Sequence, residues 1–370
     1  MVEFCLILNW SLWWLYLGRW PTHDYQGHPY RAGTEEYKLA TTVYWLARGF
    51  CGIVWGLQGD LDWFHKGMRL ENHSRNENPC CCCPAGMADP SWRDFRDCAA
   101  WCLLVYTAER WREVHPNPLP IFGILINGET ILIDYMHVKY LGVDQYLFGS
   151  VLSMLVFHIM PGNPQQNMST VFSFLQAFWQ HHRTGGAFRL ITINMFSRAA
   201  TSQPKLRGRA GEIRRLAKAL TACFKHYMDP EDELHKNVRS CLNTNCKLDD
   251  ILDDNPGWRL VGEPYEQFVR NAHGFCCLYE TCATLAAGKT WEMFDVTIKL
   301  HYLLHIAKHS KFMHPKLGWC WSGEHFMKIT KQLLASCTRG SVAQDAQVKM
   351  VDKWCIALDL EYKQLSEADI

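Results

Sequence analysis

Two short runs rich in β-branched and aromatic residues predict strands. Residues 41–58 predict a helix or strand that leads into a buried strand ending in a turn at Gly59 and Asp60; the other strand is Glu129–Asp134. Between them, residues 71–98 are polar and rich in Asn, Pro and Cys, which predicts a long irregular loop. The front third of the chain therefore predicts two strands separated by a loop rather than a helical bundle.

Longer stretches with apolar residues at helical spacing dominate the rest of the chain. The predicted helices are about Met136–Met160, Val171–His182, Gly211–Tyr227, Pro264–Leu285, Thr290–Lys311 and Gly323–Cys337. Strands followed by such a block predict an α/β protein whose mixed sheet is interrupted by a large, mostly helical insertion.

The composition is that of a globular, intracellular protein. Hydrophobic residues make up 48% and charged residues 20% of 370 residues, and the net charge is +1, so any contact with nucleic acid must come from a local basic patch. The 17 cysteines stand in a chain that is neither small nor core-poor, which favours a reducing compartment. Residues 4–17 are apolar but short and lack a basic leader, so we expect a buried helix or strand and no membrane span.

Two carboxylates follow the predicted strands. Asp60 ends the first and Asp134 the second, and carboxylates at neighbouring strand ends can share Mg²⁺ or Mn²⁺. His137 follows Asp134 by three residues, so both side chains lie on one face of a first helical turn. The alternative is that each aspartate caps the helix behind it.

A run of four cysteines stands inside the predicted loop. Cys80 and Cys83 have the C-x-x-C spacing that holds two thiolates on one zinc ion. The candidates for the two missing ligands are Cys98, Cys102, His115 and, more distantly, His137. A loop without metal is the alternative.

His301 and His305 are spaced i, i+4 on a predicted helix. The glutamate of the zinc-protease motif is missing, because Tyr302 follows His301. We interpret both histidines as packing and hydrogen-bonding residues.

A basic segment begins the predicted helix at about residue 210. Its candidate phosphate contacts are Lys205, Arg207, Arg209, Arg214, Arg215 and Lys218. The apolar residues Ile213, Leu216 and Leu220 share another face. This pattern favours a stripe that contacts DNA phosphates, and the alternative is the solvated face of an ordinary amphipathic helix.

In order along the chain, several segments resemble CACTA-type DNA transposases. They are GDLDWF followed by the C-x-x-C pair, IDYMHVKYLGVDQYLFGSVL, KLRGRAGEIRRLAKAL, FDVTIKLHYLLHIAK with its paired histidines, and WCWSGEHFMKITKQLLASCTRGS. The resemblance is collinear from about residue 40 to residue 341.

The resemblance implies an RNase H-like catalytic core in which acidic residues hold two Mg²⁺ or Mn²⁺ ions for DNA strand cleavage and joining. It carries Asp60 and Glu324 over as catalytic metal ligands. Asp134 and His137 become the accessory D-x-x-H motif, although Asp134 has the chemistry of a ligand as well. The family's first catalytic aspartate lies upstream of the matched region, and Asp24 is the early candidate here, so we expect impaired catalysis.

On this interpretation the chain is a nuclear, DNA-associated, transposase-derived protein without membrane contact, and a homo-oligomer is compatible with it. The expected domains are an irregular segment (1–40), a partial RNase H-like core with the Cys-rich loop (41–162), a helical insertion (163–290) and a C-terminal helical region (291–370). The alternative function is a non-enzymatic helical interaction module, stabilised by zinc.

Overall fold

A small parallel sheet forms where the sequence predicts strands. The computed structural model describes residues 2–46, 48–70, 77–115, 128–197, 203–338 and 343–368. Strand β1 (Leu57–Gly59) pairs in parallel with β2 (Ile131–Ile133), and Gly59 lies opposite Ile133. Both predicted strands are confirmed, but β1 is much shorter than the run at 41–58 suggested.

Helices account for about 60% of the chain, so the fold is α/β only in a loose sense. They are α1 (Val2–Leu17), α2 (Glu35–Lys38), α3 (Leu61–Lys66), α4 (Ala108–Val114), α5 (Asp144–Met154), α6 (Pro164–His181), α7 (Ala210–Tyr227), α8 (Glu233–Asp254), α9 (Glu263–Gly288), α10 (Ile298–His309), α11 (Trp321–Thr338) and α12 (Ala343–Ala368). Short π-helical segments are Leu39–Val43, Met136–Val143 and Leu155–Ile159, and 3₁₀ turns are Ala100–Leu103 and Ile193–Met195.

The two compact units are Met1–Trp319 and Cys320–Ile370. In the first, the segment Met136–Ile159 runs as one continuous helix made of α5 and its flanking π-helical segments, and it stops where Met160 becomes extended before Pro161. Its residues pack against α6, α7 and α10. Among the described helices this is the one long and apolar enough to cross a membrane by length and composition, and 83% of its most apolar window is buried inside the protein.

The N-terminal helix α1 differs from the expectation. Residues 4–17 do form a helix, but their predicted burial is wrong, since Cys5 is buried while Phe4 is 63% exposed. Apolar residues surround the whole helix, so one side packs on a cluster that includes Phe64 and Trp111 and the others face outward.

Helix α10 begins eight residues later than predicted. Thr290 and Phe294 have φ values of 62° and 58°, a left-handed backbone that no helix tolerates in these residue types. The chain between them is irregular, and Thr297 is the N-cap of α10.

The second unit consists of α11 and α12. Phe326 and Trp354 pack edge to face with ring centroids 5.4 Å apart, and Cys337 and Ala346 are buried.

Candidate metal centre and carboxylate edge

Two cysteines and two histidines from distant parts of the chain meet in the interior of the first unit. Cys80 Sγ lies 3.3 Å from His305 Nε2, and Cys83 Sγ lies 3.3 Å from His301 Nε2. The two Nε2 atoms are 3.0 Å apart. All four ligand atoms lie within 4.8 Å of one another, and all four residues are buried.

This arrangement fits one tetrahedral metal ion. With Zn–S of about 2.3 Å and Zn–N of about 2.0–2.1 Å, the edges of a tetrahedral Cys₂His₂ site measure about 3.3–3.8 Å. The two Sγ–Nε2 separations of 3.3 Å lie at the short end of that range, and the Nε2–Nε2 separation of 3.0 Å lies below it. Thiolate and imidazole are the donors that zinc prefers, so Cys80, Cys83, His301 and His305 can hold Zn²⁺.

Local structure brings the four ligands together. The C-x-x-C turn is closed by a hydrogen bond from Cys82 N to Cys80 Sγ of 3.3 Å, and the i, i+4 spacing puts both histidines on one face of α10. Between them, the Tyr302 hydroxyl donates to Pro79 O at 2.8 Å and accepts from Cys81 N at 3.3 Å. Tyr302 thus ties the loop to the helix at the height of the metal ligands.

The electrostatics of the cluster favour a thiolate at Cys80. Burial opposes its ionisation, but hydrogen bonds from the thiols of Cys82 and Cys83 and the charges of the histidines lower the pKa of Cys80 well below its usual value. Hydrogen bonding to Cys80 and burial raise the pKa of Cys83, and burial lowers the pKa of His301. A metal ion needs both thiols deprotonated and both imidazoles neutral, so metal binding would also have to displace the proton of Cys83.

Trp101 forms the wall of the cluster. Its ring centroid lies 4.3 Å from that of His301 and 5.0 Å from that of His305, and the residue is fully buried. Lys308 Nζ lies 4.9 Å from the centroid of the indole ring. The buried indole therefore packs against both histidines.

His301 and His305, interpreted as packing and hydrogen-bonding residues, are buried and hydrogen-bonded, and the atoms that they hydrogen-bond are the thiols of Cys83 and Cys80, so they could also supply the other half of a metal site. The local candidates Cys98, Cys102, His115 and His137 are not part of it; Cys98 is exposed, and His115 packs on Trp111. The i, i+4 histidine pair was the available signal, since one C-x-x-C needs two more ligands from anywhere in the chain.

The strand register places Asp60 and Asp134 directly after the paired residues Gly59 and Ile133. Each carboxylate caps the turn behind it: Asp60 Oδ1 accepts from Trp63 N at 2.5 Å, and Asp134 Oδ1 accepts from Met136 N at 2.9 Å. The other oxygen of Asp134 bonds His137 Nδ1. Asp60 belongs to no group of three metal-ligating side chains among the described residues.

Lys299 lies at the same edge, at the start of α10. Its ammonium donates to the carbonyl oxygens of His137 at 2.9 Å and Leu141 at 3.3 Å. Burial and the charge of Lys205 lower the pKa of Lys299 to about 8, against the opposing effect of the charges of Asp60 and Asp134. A partly buried lysine thus stands next to the two strand-end carboxylates.

A buried ionic network holds the helix behind Asp134. Lys139 Nζ donates to Asp144 Oδ2 at 2.9 Å and to Asp249 Oδ2 at 3.1 Å. The hydroxyls of Tyr135 and Tyr140 donate to Asp249 Oδ1 at 3.1 and 2.8 Å. Asp249 belongs to α8, so the network anchors the segment that contains Asp134 and His137 to that helix.

Several residues of the basic stripe are engaged within the protein. Arg214 Nη2 contacts both oxygens of Asp253 at 2.6 and 2.8 Å, and Lys218 pairs with Asp250 at 2.6 Å. Arg215 Nη1 donates to the carbonyl oxygen of Gly211. The remaining candidates are Lys205, whose ammonium lies 4.7 Å from the ring centroid of Tyr146, and Arg207 and Arg209. Ile213, Leu216 and Leu220 are buried, as the helical pattern predicted.

Glu324 lies in α11 of the second unit, and its side chain is outside the described residues. Asp24 lies in an exposed turn, where its Oδ1 accepts from Gln26 N and His28 N, both at 2.9 Å.

No protein-family model, curated protein or solved structure matches this chain.

Proposed function

We propose that this protein is a transposase-derived, DNA-associated protein with a structural zinc centre, related to CACTA-type elements and acting in the nucleus. The observation that carries the proposal is the convergence of two of its motifs. The cysteine pair and the paired histidines, 218 and 225 residues apart in the sequence, meet at one buried site. Two motifs that come together in one site support the resemblance to CACTA-type elements better than motifs that only follow one another in the same order along the chain.

The zinc ion would be held by Cys80, Cys83, His301 and His305, with no position left for water. Such a closed site contributes folding energy rather than chemistry. In this chain it would fasten the Cys-rich loop to α10, the helix that also carries Lys299 to the carboxylate edge.

The proposed catalytic centre is ancestral and impaired. Asp60, Asp134 and Glu324 are its Mg²⁺ or Mn²⁺ ligands in an RNase H-like core, with His137 orienting Asp134. The parallel pairing of β1 and β2 supports the nearness of the first two. Asp24, the early candidate for the family's first aspartate, caps an exposed turn instead of following a strand, so strand cleavage is expected to be weak or lost.

The second candidate function is a non-enzymatic, zinc-stabilised interaction module. It is favoured by the hydrogen bonds of Asp60 and Asp134 to Trp63 N and Met136 N, which are those of ordinary caps. In that case the metal content depends on the thiols and imidazoles alone.

A single purified preparation of the full chain separates the two candidates. Elemental analysis gives its zinc content, fluorescence anisotropy gives its affinity for a double-stranded oligonucleotide at several salt concentrations, and a nicking assay with Mn²⁺ compares it with Asp60→Asn. DNA binding that weakens steeply with salt supports the transposase-derived function, and nicking lost in Asp60→Asn would add residual catalysis. Bound zinc without DNA binding would leave the interaction module.

A further inference from the structure

A cavity of about 310 Å³ is lined by all three residues of β2 (Ile131–Ile133) and by the C-terminal half of α10. Trp111 of α4 and Met313 also line it. Its volume lies at the lower end of the range of about 300–1,000 Å³ that small-molecule sites occupy. Among the described residues, it shares only His305 with the metal centre. The space therefore suits one small molecule beside that centre.

One wall of the cavity is apolar. Trp111 is 1% exposed and Ile306 is 6% exposed, and the three residues of β2 are buried. The ring N–H of Trp111 donates to Cys81 O at 2.9 Å, so the indole presents its apolar ring to the cavity. Burying an apolar group against such a wall is favourable, because both surfaces leave water. This wall favours a ligand with an apolar body.

Two lysines line the same cavity. Lys308 Nζ lies 4.9 Å from the centroid of the Trp101 ring, and Lys311 Nζ lies 4.8 Å from that of Phe312, which itself lines the cavity. In the part of the chain that the structure describes, neither ammonium forms an ion pair. The one acidic residue among the described lining residues is Glu129, and it is exposed. Two cations against one carboxylate give the lining a net positive charge, which favours an anion.

We propose that this cavity binds a small organic anion, with its aromatic or branched aliphatic body against Trp111 and β2 and its anionic group at Lys308 and Lys311. A ligand of this class matches both parts of the lining. A small inorganic anion would leave the apolar wall unfilled, and an uncharged hydrocarbon would make no use of the ammonium groups. The inference goes beyond the proposed function and does not depend on DNA binding.

The test uses two fluorescent probes on the full chain: anilinonaphthalene sulfonate, an organic anion with apolar rings, and phenylnaphthylamine, which has the same rings without the sulfonate. The charge variant carries both Lys308→Gln and Lys311→Gln, and its control is Lys225→Gln at an exposed lysine of α7. The blocking variant is Val105→Trp, at a lining residue that is 43% exposed, and its control is Leu103→Trp, at a residue that is 90% exposed and outside the lining. Thermal unfolding of each variant monitors the fold.

The wild type should bind the sulfonate at one site per chain and more tightly than the uncharged probe. The charge variant should weaken sulfonate binding about tenfold and change the affinity for the uncharged probe less than about twofold. Val105→Trp should weaken the binding of both probes, and both controls should behave as the wild type.

The site is overturned if the wild type binds neither probe, or if a folded Val105→Trp variant binds the sulfonate as well as the wild type does, since the probe would then lie elsewhere. Unchanged sulfonate binding in the charge variant, or an equal loss for both probes, overturns the anion as the ligand class. If Val105→Trp fails to fold, the charge variant and its control decide the proposal by themselves.

Discussion

Replacing Lys139 by methionine should be among the most damaging single changes in the first unit. Lys139 and Asp144 are fully buried and Asp249 nearly so, so one cation balances two carboxylates away from solvent. Removing the cation leaves both carboxylates without the ammonium, and Asp249 keeps only the hydroxyls of Tyr135 and Tyr140. Breaking a buried ion pair from one side costs about 3–5 kcal/mol, a large part of a total stability of about 5–15 kcal/mol.

The matched control is Asp144→Asn. Burial raises the pKa of Asp144 from 3.8 to about 6, and this difference of about two units corresponds to about 3 kcal/mol of cost above pH 6. Asparagine removes that cost and leaves Lys139 paired with Asp249 alone. We therefore expect Asp144→Asn to be neutral or stabilising at pH 7, and the double variant to be less damaged than Lys139→Met.

Urea unfolding of the four proteins, followed by circular dichroism and tryptophan fluorescence, gives the free energies of unfolding. The reasoning is refuted if Lys139→Met loses less than about 1 kcal/mol, because a buried cation between two carboxylates cannot be removed so cheaply. It is also refuted if Asp144→Asn is the more destabilised single variant, since the excess negative charge would then not be the source of the cost.

Three further predictions concern the metal centre and pH. Cys83→Ser should abolish the zinc content measured by elemental analysis, whereas Cys98→Ser, at an exposed thiol, should retain about one ion per chain; equal contents would contradict the ligand assignment. Trp101→Ala should lose about 3–5 kcal/mol of stability and release zinc faster to a chelator, because its buried ring covers both histidines; unchanged release kinetics would show that the ring does not protect the site. The folded-state pKa of Asp144 lies above its unfolded value, so its contribution to stability is greatest below about pH 4 and falls by about 3 kcal/mol as pH rises to 6. Calorimetry at several pH values should find this loss of stability in the wild type and not in Asp144→Asn. The same loss in Asp144→Asn would assign it to another group.

Periodicity predicted several long helices of the first unit, but α8 (Glu233–Asp254) was not among the predicted helices. The predicted helices at Gly211–Tyr227 and Pro264–Leu285 correspond closely to α7 and α9, because a wide apolar face and clear stop signals are local properties. The predicted helix at Thr290–Lys311 began too early, since the left-handed conformations of Thr290 and Phe294 are imposed by tertiary packing. Their residue types do not predict these conformations. The burial of α1 was mispredicted for the same reason. The sequence of an apolar helix does not show how much of its surface packs against the rest of the protein.

The candidate metal site was half visible in the sequence. The spacing of Cys80 and Cys83 indicated two ligands, but the candidates for the others were Cys98, Cys102 and His115, which are closer along the chain than the two histidines. A tetrahedral site needs only proximity in space, and His301 and His305 reach it through the packing of α10 on the Cys-rich loop. Conversely, the charges of Arg214 and Lys218 looked available because their acidic partners lie on another helix.

The order in which the ligands leave the ribosome follows from the separation of Cys83 and His301 by 218 residues. At about 5–20 residues per second, the thiols emerge about 10–40 s before the imidazoles, and until then they lack half of their coordination sphere. Closing a loop of that length costs about 5 kcal/mol of chain entropy, so a bound ion would join the Cys-rich loop to α10 only late in synthesis. During synthesis the nascent cysteines would therefore stay open to oxidants and to competing soft metals.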